Sequence, residues 1–446
     1  MSATLTFTPT VSPNACLPNQ DAFLFQRART WWLLLALFLL AQENGIFTVA
    51  STASEKLKVL RQFYAPSTTL LLMSTILLWT ICAGLAVKRI GPTLLVMLEQ
   101  KVVLAFAVLA FLSAIWSQDP QLTFRKSILL FLVFGFASFF ASSYSPSDQM
   151  RLLLAAGVIV ALASIAMAIL LPQYGLDSGG EWKGVLGQKN QLGLAILFLF
   201  SGLAFYPISN NRRLVTVATQ ALLPIGLIVL SQSKGSLIMA VLLIAVRLYG
   251  PFLRNRRRDQ LPFVLFATFA GILGILLSRN MLLLLLGRDS TLTGRTHEWS
   301  IISDYALRHL WLGYGYVAFW TGTGDSLAAM NLVGGALHGS DNGYLDTMLQ
   351  FGLAGLCLWI ILLLVALRDI VKLFREPFVP LEGYWYAGVV LVVFVGSFVE
   401  SLFPAPGGVN TFVFVVACAG LKNLSNAGIH SASRSELYSG ANHHST

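Results

Sequence analysis

The chain has 446 residues, of which 56% are hydrophobic and 11% charged, with a net charge of +10 and a mean hydropathy of +0.72. This composition excludes an ordinary soluble domain and indicates an all-α, polytopic membrane protein. The positive charge does not indicate nucleic-acid binding, because the basic residues are scattered through short connections between apolar runs. The cysteines show neither the spacing of a disulfide framework nor that of a zinc site.

Apolar runs of membrane-spanning length recur along the whole chain. A window of about 19 residues predicts about twelve helices, near residues 30–50, 66–87, 92–116, 127–143, 152–171, 191–208, 213–230, 234–249, 261–284, 343–367, 383–403 and 409–423. The helix at 92–116 is the least regular, because Glu99, Gln100 and Lys101 interrupt it, and the alternative is a membrane portion that begins only near Val102. The polar flanks at 1–26 and 425–446 are predicted to be disordered cytoplasmic segments on either side of one membrane domain, 27–424.

The distribution of positive charge predicts the orientation of these helices. If the N-terminus is cytoplasmic, most basic clusters fall on the cytoplasmic side, as the positive-inside rule requires. The loops at 117–126, 172–190, 231–233, 285–342 and 404–408 then face outward. They nevertheless carry cations: Arg125, Lys126, Lys183, Lys189, Lys234, Arg288, Arg295 and Arg308. Outward cations favour a site for a phosphorylated ligand, and the alternative is snorkelling of single side chains to lipid headgroups.

The longest outward loop, 285–342, is a polar island between apolar runs. It opens with GRDSTLTGRTHEW (287–299). Four apolar residues then recur at helical spacing and predict an amphipathic surface helix: Trp299, Ile302, Ala306 and Leu310. A start at Thr293 or Gly294 places Arg295 in the first turn, where backbone N–H groups favour an anion. Arg295, Glu298 and Trp299 share one face, and the alternative is that Arg295 and Glu298 only pair with each other.

The island closes with LHGSDNGYL (337–345) at the start of the tenth predicted helix. Ser340 or Asp341 is predicted to cap this helix, with His338 just before the cap and Asn342 in the first turn. A histidine with an ordinary pKa near 6.5 can take a proton from an attacking sugar hydroxyl. Asp341 could orient that ring or act as the base itself, so both residues are candidates.

Motifs in a fixed order resemble the O-antigen ligase and Wzy-type polymerase superfamily, and within it the exopolysaccharide polymerases of the succinoglycan type. The resemblance runs over most of the chain. The motifs are AIWSQDPQLTFRK (114–126), GVLGQKNQLG (184–193), SQSKGSLI (231–238), TLTGRTHEW (291–299), LGYGYVAFW (312–320) and DNGYLDTMLQFGLAGL (341–356).

The resemblance implies a type C, inverting glycosyltransferase that needs no metal or other cofactor and works on the periplasmic face of the bacterial inner membrane. Its donor would be an oligosaccharide on undecaprenyl diphosphate, its acceptor a glycan, and its partners a flippase and a chain-length regulator. Arg288 and Arg295 would hold the diphosphate, with Lys189 and Lys234 as helpers, and His338 or Asp341 would be the base. Supporting residues would be Asn190, Glu298, Trp299, Asn342 and Arg125. The outward loops also lack an Asp-x-Asp pair that would hold a divalent cation.

Two alternatives stay open at this point. Many relatives, especially ligases, have a histidine directly before the asparagine, whereas Asp341 occupies that position here. This departure favours a polymerase over a ligase acting on lipid A core. A transporter or flippase of lipid-linked sugars is the alternative of another class, but such proteins carry ionisable residues near the bilayer midplane. The apolar runs hold few of these apart from Glu43, Lys101 and Glu400.

Overall fold

The computed structural model describes residues 30–40, 77–177, 179–206, 211–254, 295–321, 324–333, 339–376, 378–405 and 408–441. Within these ranges the fold is all-helical, with an isolated antiparallel bridge between Leu176 and Trp182. The predicted helix at 261–284 lies outside the described residues, as do Arg288, His338 and the N-terminal arm.

The fourteen α-helices of ten or more residues in the described ranges are numbered α1 to α14 in chain order. They are α1 Thr30–Leu40, α2 (77–86), α3 Ile90–Glu99, α4 Lys101–Leu112, α5 Pro120–Ser143, α6 Pro146–Leu170, α7 Lys189–Phe200, α8 Asn211–Leu230, α9 Lys234–Arg254, α10 Arg295–Arg308, α11 Gly324–Val333, α12 Gly343–Arg375, α13 Leu381–Gly396 and α14 Val409–Ala441.

Four helical segments in the described ranges are long and apolar enough to cross a membrane. They are Leu77–Glu99, Pro120–Ser143, Pro146–Leu170 and Gly343–Arg375. Shorter apolar helices accompany them, among them α1, α4 and α13. The described part of the chain is therefore all-α and has the apolar helices of a membrane protein, and the count of about twelve spans stays a prediction.

A single helix over 92–116 is wrong, because two helices occupy this range, and the second, α4, begins close to the alternative start near Val102. Gln100 lies between α3 and α4 with φ −83° and ψ 57°, outside helical geometry. Its N–H still bonds to the carbonyls of Val96 and Met97, so the chain turns tightly there. The polar run that interrupts the apolar pattern therefore marks a break between two helices.

Helix α5 begins earlier than the predicted start at residue 127. Asp119 is the N-cap, with Oδ1 accepting the N–H of Leu122 at 2.9 Å, and Pro120 is the first helical residue. Both are strong signals for a helix start. The sequence predicted Arg125 in the loop 117–126, but the structure places it on helix α5.

The C-terminal helix α14 lies at the centre of the bundle and packs against α5, α7, α12 and α13. Aromatic rings fill the contact with α12: Trp359 contacts Phe394, Phe403 and Phe414 at centroid distances of 4.7 to 6.3 Å. The end of α14, at Ala441, covers most of the segment 425–446 that the sequence predicted as a disordered tail.

Candidate functional site

Several of the loops predicted to face outward meet at one end of the bundle. The connection between α4 and α5 bonds to the segment after α10: Trp116 donates from Nε1 to the carbonyl of Leu312 at 2.9 Å, and Thr123 donates from Oγ1 to that of Tyr316 at 2.9 Å. The Tyr316 hydroxyl in turn donates to the carbonyl of Pro404, after α13, at 3.3 Å.

The beginnings of α7, α9 and α12 lie at this same end. The N–H of Gly343, the first residue of α12, bonds to the carbonyl of Ser397 at 2.7 Å. A Cβ built on Gly235, the second residue of α9, would lie 3.2 Å from Oε1 of Glu400. One on Gly193 in α7 would lie 2.6 Å from the side chain of Ser233. We call this end of the bundle, where these loops and helix beginnings meet, the loop face.

Helix α10 occupies most of the stretch predicted to form an amphipathic surface helix, although Leu310 lies beyond its end. Ile302 and Ala306 are fully buried, and together with Tyr305 they pack against Leu349 of α12. The helix starts at Arg295, so this arginine lies in the first turn as predicted. Its side chain lies outside the described part of the structure.

Trp299 fixes α10 to the segment before α12. Its Nε1 donates to the carbonyl of Ser340 at 2.8 Å, and its side chain is partly buried, as is that of Glu298. This hydrogen bond joins the beginning of α10 to the closing segment of the polar island. The helix that begins with Arg295 is thereby held beside the residue that precedes Asp341.

The cap of α12 differs from the prediction. Asn342 is the N-cap, with extended dihedrals, and its Oδ1 accepts the N–H groups of Tyr344 and Leu345 at 3.1 and 3.2 Å. The prediction that Ser340 or Asp341 caps the helix is therefore wrong. Ser340 instead bonds to the backbone of Asn342 through its hydroxyl.

Asp341 takes a positive φ of 50°, in the left-handed region that aspartate tolerates better than most residues. It is partly buried. Because the chain reverses direction here, Asp341 lies outside the helix and beside its first turn. The candidate base thus lies on the turn that connects the polar island to α12.

A carboxylate that the sequence reasoning missed lies at the centre of this region. Asp346, in the first turn of α12, is 5% exposed. It accepts hydrogen bonds from Trp320 Nε1 at 3.1 Å and from the N–H of Ser340 at 3.2 Å, and a third from the hydroxyl of Ser401. Three separate segments therefore converge on one side chain.

Asp346 also borders a cavity of about 160 Å³ on the loop face, with Trp320, Thr347, Gln350 and Ser401 among its other lining residues. The cavity opens between α12 and the loop after α13. A sequence signal for Asp346 existed, since a carboxylate shortly after a helix start in an apolar run is uncommon. The bonds that hold it could not be read from spacing.

The lysines predicted to help hold a diphosphate, and the predicted supporting residues Asn190 and Arg125, occupy different surroundings. Lys189, at the start of α7, pairs with Glu181 at 3.0 Å. The hydrogen bond from Lys189 and a backbone hydrogen bond lower the pKa of Glu181. Lys234 is exposed at the start of α9, and Asn190 is partly buried next to Lys189. Arg125 is exposed and donates from Nε to the carbonyl of Gln121 in its own helix at 3.3 Å.

Arg308, one of the cations predicted to face outward, is held within the polar island. It pairs with Asp325 at 3.4 Å and lies 4.1 Å above the ring of Tyr305. Asp325 also accepts the hydroxyl of Tyr314 at 2.8 Å. Burial, and then this hydrogen bond, raise the pKa of Tyr314. The ion pair between Arg308 and Asp325 therefore holds α10 against α11.

The part of the chain that carries the polar island is similar to proteins of a known family. Residues 219–360, from α8 to the middle of α12, match a protein family described as O-Antigen ligase. The resemblance to this family is confirmed. The chain is also 26% identical over 331 residues to the exopolysaccharide production protein ExoQ of Rhizobium meliloti (strain 1021), covering 70% of this chain and 74% of that protein.

Proposed function

We propose that this protein is a glycosyltransferase of the inner membrane that extends a glycan carried on undecaprenyl diphosphate, in the synthesis of an exopolysaccharide. The loop face would lie on the periplasmic side. The reaction joins the anomeric carbon of one lipid-linked glycan to a hydroxyl of another, and undecaprenyl diphosphate leaves. The reaction inverts the anomeric configuration and uses no metal, so the protein's own cations compensate the charge of the leaving group.

The proposed roles follow the chain from α7 to α12. Arg288 and Arg295 bind the diphosphate, and bidentate arginine contacts stabilise the charge that develops as the anomeric bond breaks. Lys234, which is exposed at the start of α9, assists the two arginines. Lys189 assists with the N–H donors that its bond to Glu181 leaves available. His338 or Asp341 takes the proton from the acceptor hydroxyl.

The observation that carries the proposal is the 2.8 Å hydrogen bond from Trp299 to Ser340. It links the helix that begins with Arg295 to the residue that precedes Asp341. A diphosphate clamp and a base must lie on either side of the same anomeric carbon, and here the segments that carry them adjoin. Asp346 supports this arrangement, because it accepts the N–H of Ser340, the residue whose carbonyl accepts the hydrogen bond from Trp299.

The choice of polymerase over ligase is supported by two features. Asp341 occupies the position where ligases carry histidine, and the similar protein ExoQ is described by exopolysaccharide production. The matching family is described as O-Antigen ligase, which favours transfer to lipid A core as the second candidate. The two functions differ in the acceptor, so the acceptor decides between them.

The test is a reaction of the purified full-length protein with the undecaprenyl-diphosphate repeat units of its own organism, with chelator and without added acceptor. Wild type is compared with Arg295→Ala, expected to be slower by about 10²-fold. Arg375→Ala is the matched control, because Arg375 is exposed at the opposite end of α12.

A ladder of lengthening glycans in wild type and the Arg375→Ala control, lost in Arg295→Ala, would support the polymerase. Product that forms only after lipid A core is added would identify a ligase. Absence of product with either acceptor, or a ladder that Arg295→Ala leaves unchanged, would overturn the proposal.

A further inference from the structure

A second polar cavity lies far from the loop face, at the beginning of α4. Its volume is about 370 Å³, and it opens between α4, α12 and α14. Helix α4 has 12 residues, so at 1.5 Å per residue this cavity is about 18 Å from the loop face, where Ser113 bonds to Tyr316. It is therefore separate from the candidate catalytic site, and its occupant need not be the substrate.

The side chain of Gln100 is the unusual feature of this cavity. Gln100 is 7% exposed and lines the cavity, yet neither its Nε2 nor its Oε1 has a hydrogen-bond partner in the described part of the protein. A buried amide without partners is destabilising, because it has lost its hydrogen bonds to water and gained none in the protein. Such a group at a cavity wall needs a partner that the described protein does not supply, such as a water, an ion or a ligand.

Positive groups accompany this amide on one side of the cavity. Lys101, the first residue of α4, is exposed, and no ion-pair partner for it occurs among the described residues. The other charged groups are already paired: Arg368 donates from Nη2 to Asp369 at 2.7 Å, and Lys422 lies 4.0 Å from the carboxylate of Glu99. An uncompensated ammonium at a helix start favours an anion.

The remaining wall is apolar. Val102 of α4 and Leu362 and Val365 of α12 line it, so the cavity offers a polar end and a hydrocarbon surface. A ligand that matches both has an anionic head and an acyl chain. The volume is in the range of sites that hold small organic molecules.

We propose that this cavity binds the phosphate-bearing headgroup of a membrane phospholipid. The phosphate oxygens accept hydrogen bonds from Lys101 and from the amide of Gln100, and the acyl chains lie along the apolar wall. Binding does not require turnover, so this proposal is independent of the proposed glycosyl transfer.

The experiment titrates the purified full-length protein in detergent with phosphatidylglycerol or, in a separate arm, with inorganic phosphate, and follows Tm. We expect the lipid to raise the Tm of wild type. Lys101→Gln and Gln100→Leu should weaken lipid binding by at least about tenfold, as loss of a charged hydrogen bond does. Lys372→Gln is the matched control, a lysine one turn beyond Arg368 that does not line the cavity.

Without lipid, Gln100→Leu should raise Tm, because it removes a buried amide that has no partner. Lys101 is exposed, so Lys101→Gln keeps the test usable if Gln100→Leu does not fold. A Tm that rises equally in wild type and both cavity variants would overturn the proposal. A rise with inorganic phosphate that matches the lipid would replace the lipid headgroup by free phosphate.

Discussion

Two buried carboxylates on helix α12 show two ways of holding a charge inside this protein. Asp346 and Asp369 are each 5% exposed. Asp369 is neutralised by Arg368, which donates from Nε and Nη2 to one oxygen at 2.9 and 2.7 Å. Asp346 is held by neutral donors from three other segments, and no Lys, Arg or His in the described residues lies within ion-pairing distance of it.

The two ends of α12 therefore stabilise a buried carboxylate by different means. Arg368, the neighbouring residue, neutralises Asp369. The C-terminal part of α12 therefore needs no hydrogen-bond donor from another segment for this carboxylate. Asp346 depends on the loops of the candidate site, and these loops in turn depend on Asp346. Because hydrogen bonds in such a network are coupled, one substitution at Asp346 should disturb Trp320, Ser340 and Ser401 together.

The largest effect is expected for Asp346→Ala. This change leaves three donors of the loop face unpaired, at about 1–3 kcal/mol for each buried one. We expect the free energy of unfolding to fall by about 3 kcal/mol and glycan formation to fall by about 10²-fold, because Ser340 shifts relative to Trp299. Thermal unfolding in detergent and the glycan ladder measure the two effects.

Asp346→Asn is the matched control, since its amide oxygen can still accept two of the three hydrogen bonds. It should retain more stability than Asp346→Ala. Equal stability of wild type and Asp346→Ala would show that the neutral donors do not hold the loop face.

At the other end of α12, removal of either member of the ion pair should have unequal effects. Arg368→Ala leaves the buried carboxylate of Asp369 without its cation, whereas Asp369→Asn leaves an arginine that is 54% exposed and can turn to solvent. Losing one partner of a buried pair costs about 3–5 kcal/mol, and exposure of Arg368 reduces this to roughly 1–2 kcal/mol for Arg368→Ala.

Asp369→Asn should lower the free energy of unfolding by roughly 1 kcal/mol or less by the same reasoning. Denaturant unfolding of both variants checks the order. A larger loss for Asp369→Asn than for Arg368→Ala would contradict the view that Arg368 serves to neutralise Asp369.

The cap of α12 gives a smaller effect, about 1 kcal/mol for Asn342→Ala. Asn342 satisfies the N–H groups of Tyr344 and Leu345, one turn from Asp346. Asn342→Ser should keep most of the stability, because serine is also a good cap. Thermal unfolding of the two variants side by side is the measurement, and an equal loss for both would exclude a capping role.

The smallest effect concerns the pair between Glu181 and Lys189 on the loop face. The pKa of Glu181 is lowered in the folded protein, so the pair stabilises the fold above the ordinary glutamate pKa. That stabilisation is lost as pH falls through the lowered value. Tm of wild type and Glu181→Gln should differ at neutral pH and converge in acid. A constant difference across this range would contradict the assignment.

Local patterns in the sequence predicted the helices that have their own signals. The amphipathic helix α10, with Ile302 and Ala306 inward and Arg295 in its first turn, follows from spacing alone. The break at Gln100 had a signal too, three polar residues in an apolar run, but its form as two helices did not follow. The roles of Arg288 and His338 stay predictions, since both lie outside the described residues.

The tertiary structure decided which residues meet. Asp346 accepts bonds from Trp320 and Ser401, and Lys189 is paired with Glu181. These partners are separated by many residues or by loops without periodicity, so no local pattern encodes them. Asn342 became the cap because Asp341 takes a positive φ, and the loop contacts around that turn set this conformation.

By itself, the sequence determined the membrane class, the apolar helices and the clustering of cations in a polar island, because hydrophobicity and charge act on every residue wherever it lies. Only the tertiary structure decided that Trp299 of α10 bonds to Ser340 before α12, that three segments of the loop face bond to Asp346, and that Gln100 lines a second cavity. Those outcomes depend on hydrogen-bond geometry between distant segments, which forms only when the helices have packed.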